Sequence, residues 1–148
     1  MKQSFLFTVH KHEIKPFHYD FRIHIGSEIY LWVMAKGPTL DNTVKRLAKI
    51  TEDDHEQTML WDEGSYVPEI EVSKGERKLI NDQAEGLQVM QEGMKKGELK
   101  FTLHGKKLQG SFALIKTHGF AGEHAWLMIK HNDEHVKAGY NASDYDIS

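Results

Sequence analysis

Short runs of alternating residues, each closed by glycine or another turn-former, limit most strongly what this chain can fold into. Phe5, Phe7 and Val9 alternate against Leu6, Thr8 and His10. Successive side chains of a strand point to opposite faces, so this pattern predicts a strand with one buried face. After the turn-like Glu13-Ile14-Lys15-Pro16 the stretch from Phe17 to Ile25 alternates again. Gly26-Ser27 ends it before an apolar run from Ile29 to Ala35, which predicts a three-stranded meander. Gly37-Pro38 breaks the third run. Further strands are expected from Arg46 to Thr51, and from Thr58 to Trp61 ahead of a turn at Asp62-Glu63-Gly64. Three more are expected at Leu99–His104, Ser111–Thr117 and Ala125–Lys130.

Helical spacing occurs in one place. Asp82 followed by Glu85 resembles a capping box, and Ala84, Leu87 and Met90 or Met94 recur at helical intervals, with Gly86 and Gly93 weakening the pattern. A parallel sheet needs a crossover, usually a helix, between successive strands, so the fold class expected is mainly β: a small antiparallel barrel of about eight strands with one short helix flanking or plugging it. The 148 residues suit a single domain, 1–148, with 139–148 as a peripheral tail.

Composition excludes several function classes. With 39% hydrophobic and 28% charged residues the chain is globular rather than disordered. No cysteine is present, so disulfides, thiolate metal sites and a cysteine nucleophile are ruled out, and metal chemistry would rest on His, Asp and Glu. The net charge of −3 means that nucleic-acid contact would need a local basic patch rather than bulk attraction. No run approaches the roughly 18 apolar residues of a membrane span, so a cytoplasmic protein without a membrane partner is expected.

The segment HKHEIKPFHYDFRIH, from His10 to His24, concentrates groups able to bind metals and protons. On one strand His18, Asp20, Arg22 and His24 share a face while Tyr19, Phe21, Ile23 and Ile25 take the other. A hairpin would bring His12 beside His18 and Asp20. Two imidazoles and a carboxylate leave open coordination positions and suit Mn²⁺, Fe²⁺ or Zn²⁺. Arg22 next to them supplies a bidentate donor for phosphate. A single histidine on such a face is ordinarily a solvated side chain; the four residues together point to a site. The five histidines from His104 onward have no converging carboxylate, and Trp32, Trp61 and Trp126 sit in apolar contexts that predict core packing.

The blocks FTVHKHEIKPFHYDFRIHI, LWVMAKGPTLD, RLAKITEDD, WDEGSYVPE, GELKFTLHGKKLQGSFALIK and WLMIKHNDEH resemble, in order, the 3′-phosphoesterase domain of bacterial DNA ligase D and its stand-alone relatives. The pattern H-x5-H-x-D-x-R followed by W-x3-K-G-P carries most of the specificity. The resemblance implies a β-barrel that binds Mn²⁺, with Zn²⁺ or Co²⁺ as alternatives. It further implies trimming of DNA 3′ ends, such as a primer-template with a terminal ribonucleotide: that ribonucleotide is removed, then the 3′-phosphate, leaving a 3′-OH for a separate DNA ligase or polymerase. By position, His12, His18 and Asp20 would be the metal ligands, Arg22 and Arg46 would grip the scissile phosphate, and Lys36 in the K-G-P turn would contact substrate.

The sequence departs from the family beyond its fourth strand. Asp54 stands where the family has a functional histidine, His55 follows it, and the family's tyrosine-containing loop is not matched. A one-residue bulge would turn His55 inward as a replacement catalytic group. The sequence also opens directly on the first barrel strand, without the arm that carries further phosphate-contacting residues in the family. Three readings follow: a metal-dependent 3′-end phosphoesterase; a weakened phosphate- or DNA-end-binding module that recruits a ligase or polymerase; and an oxygenase-like or small-phosphoester enzyme using the same ligand set.

Overall fold

A computed structural model describes residues 5–12, 17–52 and 58–145. The described strands are β1 (Leu6–His12), β2 (His18–Ile25), β3 (Glu28–Met34), β4 (Lys45–Thr51), β5 (Thr58–Ser73), β6 (Glu76–Leu79), β7 (Glu98–Gly105), β8 (Gln109–Lys116) and β9 (Ala125–Lys130), with helix α1 (Gln83–Lys96) before β7. They join in the order β1-β2-β3-β4-β9-β8-β7-β5, and β5 pairs back onto β1. The result is a closed antiparallel barrel of eight strands, as the alternation predicts, with β6 attached to β5 outside it. Closure removes free sheet edges, which is how a fold made of short strands avoids edge-to-edge association.

Period-two alternation decides what lies inside. Phe7 and Val9 of β1, Phe21 and Ile23 of β2, and Trp32 and Met34 of β3 are fully buried in one aromatic-rich core with Phe101, Phe112 and Trp126. Burial of such side chains contributes about 1.5–3 kcal/mol each. Trp61 is also buried, so all three tryptophans are core residues as expected.

Four sequence expectations are corrected here. The fifth strand does not stop at Trp61 but runs on to Ser73, and β6 after it carries no strong alternation to announce it. Asp62-Glu63-Gly64 is not a turn. Asp62 is buried and accepts backbone N–H groups of Lys106, Lys107 and Leu108. Gly64 lies so close to β7 that an added Cβ would sit 2.1 Å from the His104 carbonyl oxygen. The turn-like residues serve a long-range pairing instead.

Helix α1 starts at the expected N-cap, Asp82, whose carboxylate accepts the Glu85 N–H at 2.9 Å. It packs on β5 and β7, and its two glycines are packing sites rather than weak points. A Cβ on Gly86 would meet the Phe5 ring and Pro68, and one on Gly93 would meet the Glu98 carbonyl. The chain end is not wholly peripheral either. Tyr140 and Ala142 are buried, the Thr39 hydroxyl donates to the Tyr140 carbonyl, and Gly139 N–H donates to Asp41. Gly37 of the K-G-P turn leaves room for the Tyr19 ring and Ala142 to meet over it.

Candidate metal and phosphate site

The β1–β2 register builds the candidate site. His12 lies opposite His18, and His10 lies opposite Asp20. Directly opposed residues share a sheet face, so His10, His12, His18, Asp20 and Arg22 all project from the barrel's outer face while Phe7, Val9, Tyr19, Phe21 and Ile23 fill the inside. The hairpin thus brings together the four residues expected to converge. The His12 and His18 rings lie 4.5 Å apart with their Nδ1 atoms 3.4 Å from each other. His18 Nε2 is 3.3 Å from Asp20 Oδ1, and Arg22 Nη2 is 3.8 Å from Asp20 Oδ2. Arg22 Nη1 contacts His10 Nδ1 at 3.1 Å.

Asp20 is the unusual member. It is fully buried, and among the described residues neither carboxylate oxygen has a hydrogen-bond partner. An ionised carboxylate away from water costs several kcal/mol unless paired at close range, and contacts of 3.3 and 3.8 Å offset that cost weakly. A cation would offset it. The two imidazole nitrogens are also spaced as ligands of one ion: bonds of about 2.0–2.1 Å at a tetrahedral centre place neighbouring nitrogens about 3.3 Å apart. His18 faces His12 with one nitrogen and Asp20 with the other, so the contacts run as a chain. Among the described residues no three His, Asp or Glu side chains already close around a single point. The donor set fits a divalent metal in chemistry and burial, and a rotation of the His18 ring would be needed to aim all three side chains at one ion.

The remaining expected residues are elsewhere or not described. Arg46 shares strand parity with Ala48 and Ile50, which face the core, so it points into the barrel mouth and not to the outer face with Arg22. Together with Lys36, Lys11 and Tyr19 it lines a cleft of about 440 Å³, and among the described residues its Nε is buried without a hydrogen bond. The sequence placed Arg46 with Arg22 by family position alone, although the parity that separates them was readable. Lys36 is exposed on the rim of that cleft. Asp54 and His55 lie outside the described residues, as does the turn at 13–16. His10 is the residue that site reasoning missed: its two-residue spacing from His12 placed it on the right face, but only the register set it against Arg22 and Asp20.

The helix shows no span able to cross a membrane, since no described helix is long and apolar enough.

A sequence profile of the DNA ligase D 3′-phosphoesterase domain matches residues 10–116. The multifunctional non-homologous end joining protein LigD of Pseudomonas aeruginosa is 34% identical to the chain over 149 residues, covering 89% of this chain and 16% of that protein. The multifunctional non-homologous end joining DNA repair protein LigD of Mycobacterium tuberculosis is 28% identical over 113 residues, covering 76% of this chain and 15% of that protein. The LigD protein of Mycolicibacterium smegmatis is 29% identical over 135 residues, covering 86% and 17%. The chain therefore spans about one-sixth of the length of these relatives. With the barrel, the matched profile and these relatives in agreement, the chain belongs to the DNA ligase D 3′-phosphoesterase domain family.

Proposed function

We propose that this protein is a metal-dependent phosphoesterase that trims DNA 3′ ends in repair, removing a terminal ribonucleotide in two steps, first its nucleoside and then the 3′-phosphate left behind. The observation that carries the reading is Asp20: a fully buried carboxylate without hydrogen bonds among the described residues, flanked by His18 and Arg22 on a face that also presents His12. His12, His18 and Asp20 would hold the ion, Mn²⁺ or a similar one, which when bound supplies positive charge to phosphate oxygens and lowers the pKa of a water.

The chain's own residues provide the rest. Arg22 offers a guanidinium fork to the phosphate and offsets charge that builds on its oxygens as the phosphorus is attacked. His10 and Asp20 hold that fork from two sides, so less side-chain freedom is lost when phosphate binds. Lys36 and Arg46 in the neighbouring cleft steer the DNA backbone.

The test uses a primer-template ending in one ribonucleotide, incubated with Mn²⁺. Wild type is expected to shorten the primer and leave a 3′-OH, and His12→Ala or added EDTA to stop the reaction. A second reading, a DNA-end-binding module that recruits a separate ligase or polymerase, is favoured by one feature: in an ungapped match Asp54, followed by His55, stands at the position of the family's histidine. Metal-dependent binding of the primer without any shortening would establish that reading. His55→Ala tests whether His55 stands in for that histidine.

A further inference from the structure

Strands β3 and β4 pair over three residues only, Leu31–Thr51, Trp32–Ile50 and Val33–Lys49. Past Leu31–Thr51 no further pair joins them among the described residues, and a groove of about 860 Å³ lies at the start of β3 and the end of β4. Its lining includes Arg22, Ile29, Tyr30, Ile50, Glu52 and His124. Arg22 therefore has the metal-binding side chains on one side and this groove on the other.

The charges around the site are sorted by direction. Asp20 lies opposite Val33, which lies opposite Lys49, so Lys49 shares the outer face with the site. Lys49 and Lys45 are exposed along β4 on that side, with Lys36 exposed at the end of β3. In the opposite direction, past Arg22, the exposed carboxylates lining the groove among the described residues are Glu28 and Glu52. A phosphate would be attracted by the first flank and repelled by the second. The groove also offers what an uncharged nucleoside needs: an apolar surface at Ile29, 56% exposed, and carboxylate, hydroxyl and imidazole groups for sugar hydroxyls and base edges.

We infer that this groove is the subsite for the 3′-terminal nucleoside, with the upstream backbone running over the lysine flank and the scissile phosphate at Arg22. The inference rests on the proposed activity and gives it a strand polarity. In the first step water oxygen bonds to phosphorus, the bond to the terminal nucleoside's O5′ breaks, that oxygen takes a proton, and the phosphate stays on the shortened strand. In the second step water oxygen bonds to the same phosphorus, the bond to O3′ breaks, O3′ takes a proton to become the 3′-OH, and inorganic phosphate leaves. Nothing lies beyond the phosphate in the second step, so the groove serves the first step alone.

Two substrates that differ only at the end, a terminal ribonucleoside or a 3′-phosphate, separate these roles. Ile29→Glu adds charge at an exposed position without emptying the core. It is expected to lower the ratio of nucleoside removal to phosphate removal roughly tenfold, the loss of about one apolar side-chain contact. Lys49→Glu is expected to slow both reactions and leave their ratio unchanged. Metal-free binding, read by fluorescence anisotropy of the same two strands, gives an arm independent of turnover: Ile29→Glu should weaken the nucleoside-ended strand and not the phosphate-ended one. Equal effects of Ile29→Glu on both strands, or no effect on either, in this binding assay overturn the groove assignment even where turnover is present. Absence of turnover in wild type with a selective binding effect overturns the proposed activity and leaves the subsite standing.

Discussion

Two buried carboxylates on this barrel have opposite surroundings. Glu69 on β5 is 3% exposed and accepts from the Ser111 hydroxyl at 2.9 Å and from the Thr102 hydroxyl, with Arg77 Nε at 3.1 Å. Asp20 on β2 is more deeply buried and has no hydrogen bond among the described residues. The Glu69 cluster extends further: Ser111 Oγ lies 2.7 Å from His131 Nδ1, and Lys130, whose side chain is fully buried, bonds Asp133 at 2.6 Å and the carbonyls of Ser111 and His131. Burial of Asp133 opposes its ionisation, yet hydrogen bonds from Lys130 and from the Ser111 and His135 N–H groups hold its carboxyl below the usual range. A network that satisfies itself stabilises the fold; a buried anion left with distant partners is available for a ligand. Serine, histidine and glutamate meet in the first cluster, but the serine proton goes to Glu69 and the geometry is that of structural bonding.

The contrast is tested most severely at Glu69. Glu69→Ala should cost about 3 kcal/mol, since Arg77 and two hydroxyls lose their acceptor, and urea unfolding measures it; a change under 1 kcal/mol would remove the distinction between the two clusters. On the other side, His12→Ala should reduce primer shortening about 100-fold or more, comparable to the loss of a group that supports a metal, while the urea midpoint stays near wild type. A matched fall in stability would make His12 structural.

The next effect depends on pH. Burial first, then the positive charges of Arg77, Lys130 and Lys100, lower the His131 pKa from 6.5 to about 4. The unfolded chain takes up a proton near pH 6.5 and the folded protein does not until about pH 4. This contribution is therefore present in full above pH 6.5 and is lost as the pH falls towards 4. His131→Gln should flatten the fall in Tm between pH 7 and 5, measured by thermal unfolding. The smallest effect has the opposite sign: Asp20→Asn should abolish turnover yet raise metal-free stability by up to about 1 kcal/mol, because it removes a poorly compensated buried charge.

Much of the site was legible because strand periodicity is local. His18, Asp20 and Arg22 stand at two-residue intervals, and the core residues Tyr19, Phe21 and Ile23 between them mark the other face. Arg46 was legible too: Ala48 and Ile50 show its parity, and family position overrode that signal. The long β5 was hidden because Asp62 and Gly64 are turn-formers by local propensity, and only pairing with β1 and β7 makes them strand residues. The role of Gly86 and Gly93 could not be read either, since a glycine that weakens an isolated helix also lets it approach a sheet.

The sequence by itself determined the strands, the sorting of side chains between core and outer face, the absence of thiol chemistry, and the set of two imidazoles, one carboxylate and one guanidinium on a single face. Tertiary structure alone decided that His10 braces Arg22, that Asp20 has no hydrogen bond among the described residues while Glu69 accepts several, and that a groove lies beside Arg22 at the end of the β3–β4 pairing. The physical reason is range. Alternation is set by covalent geometry over two residues, whereas the satisfaction of a buried charge depends on partners brought together by barrel closure from distant parts of the chain.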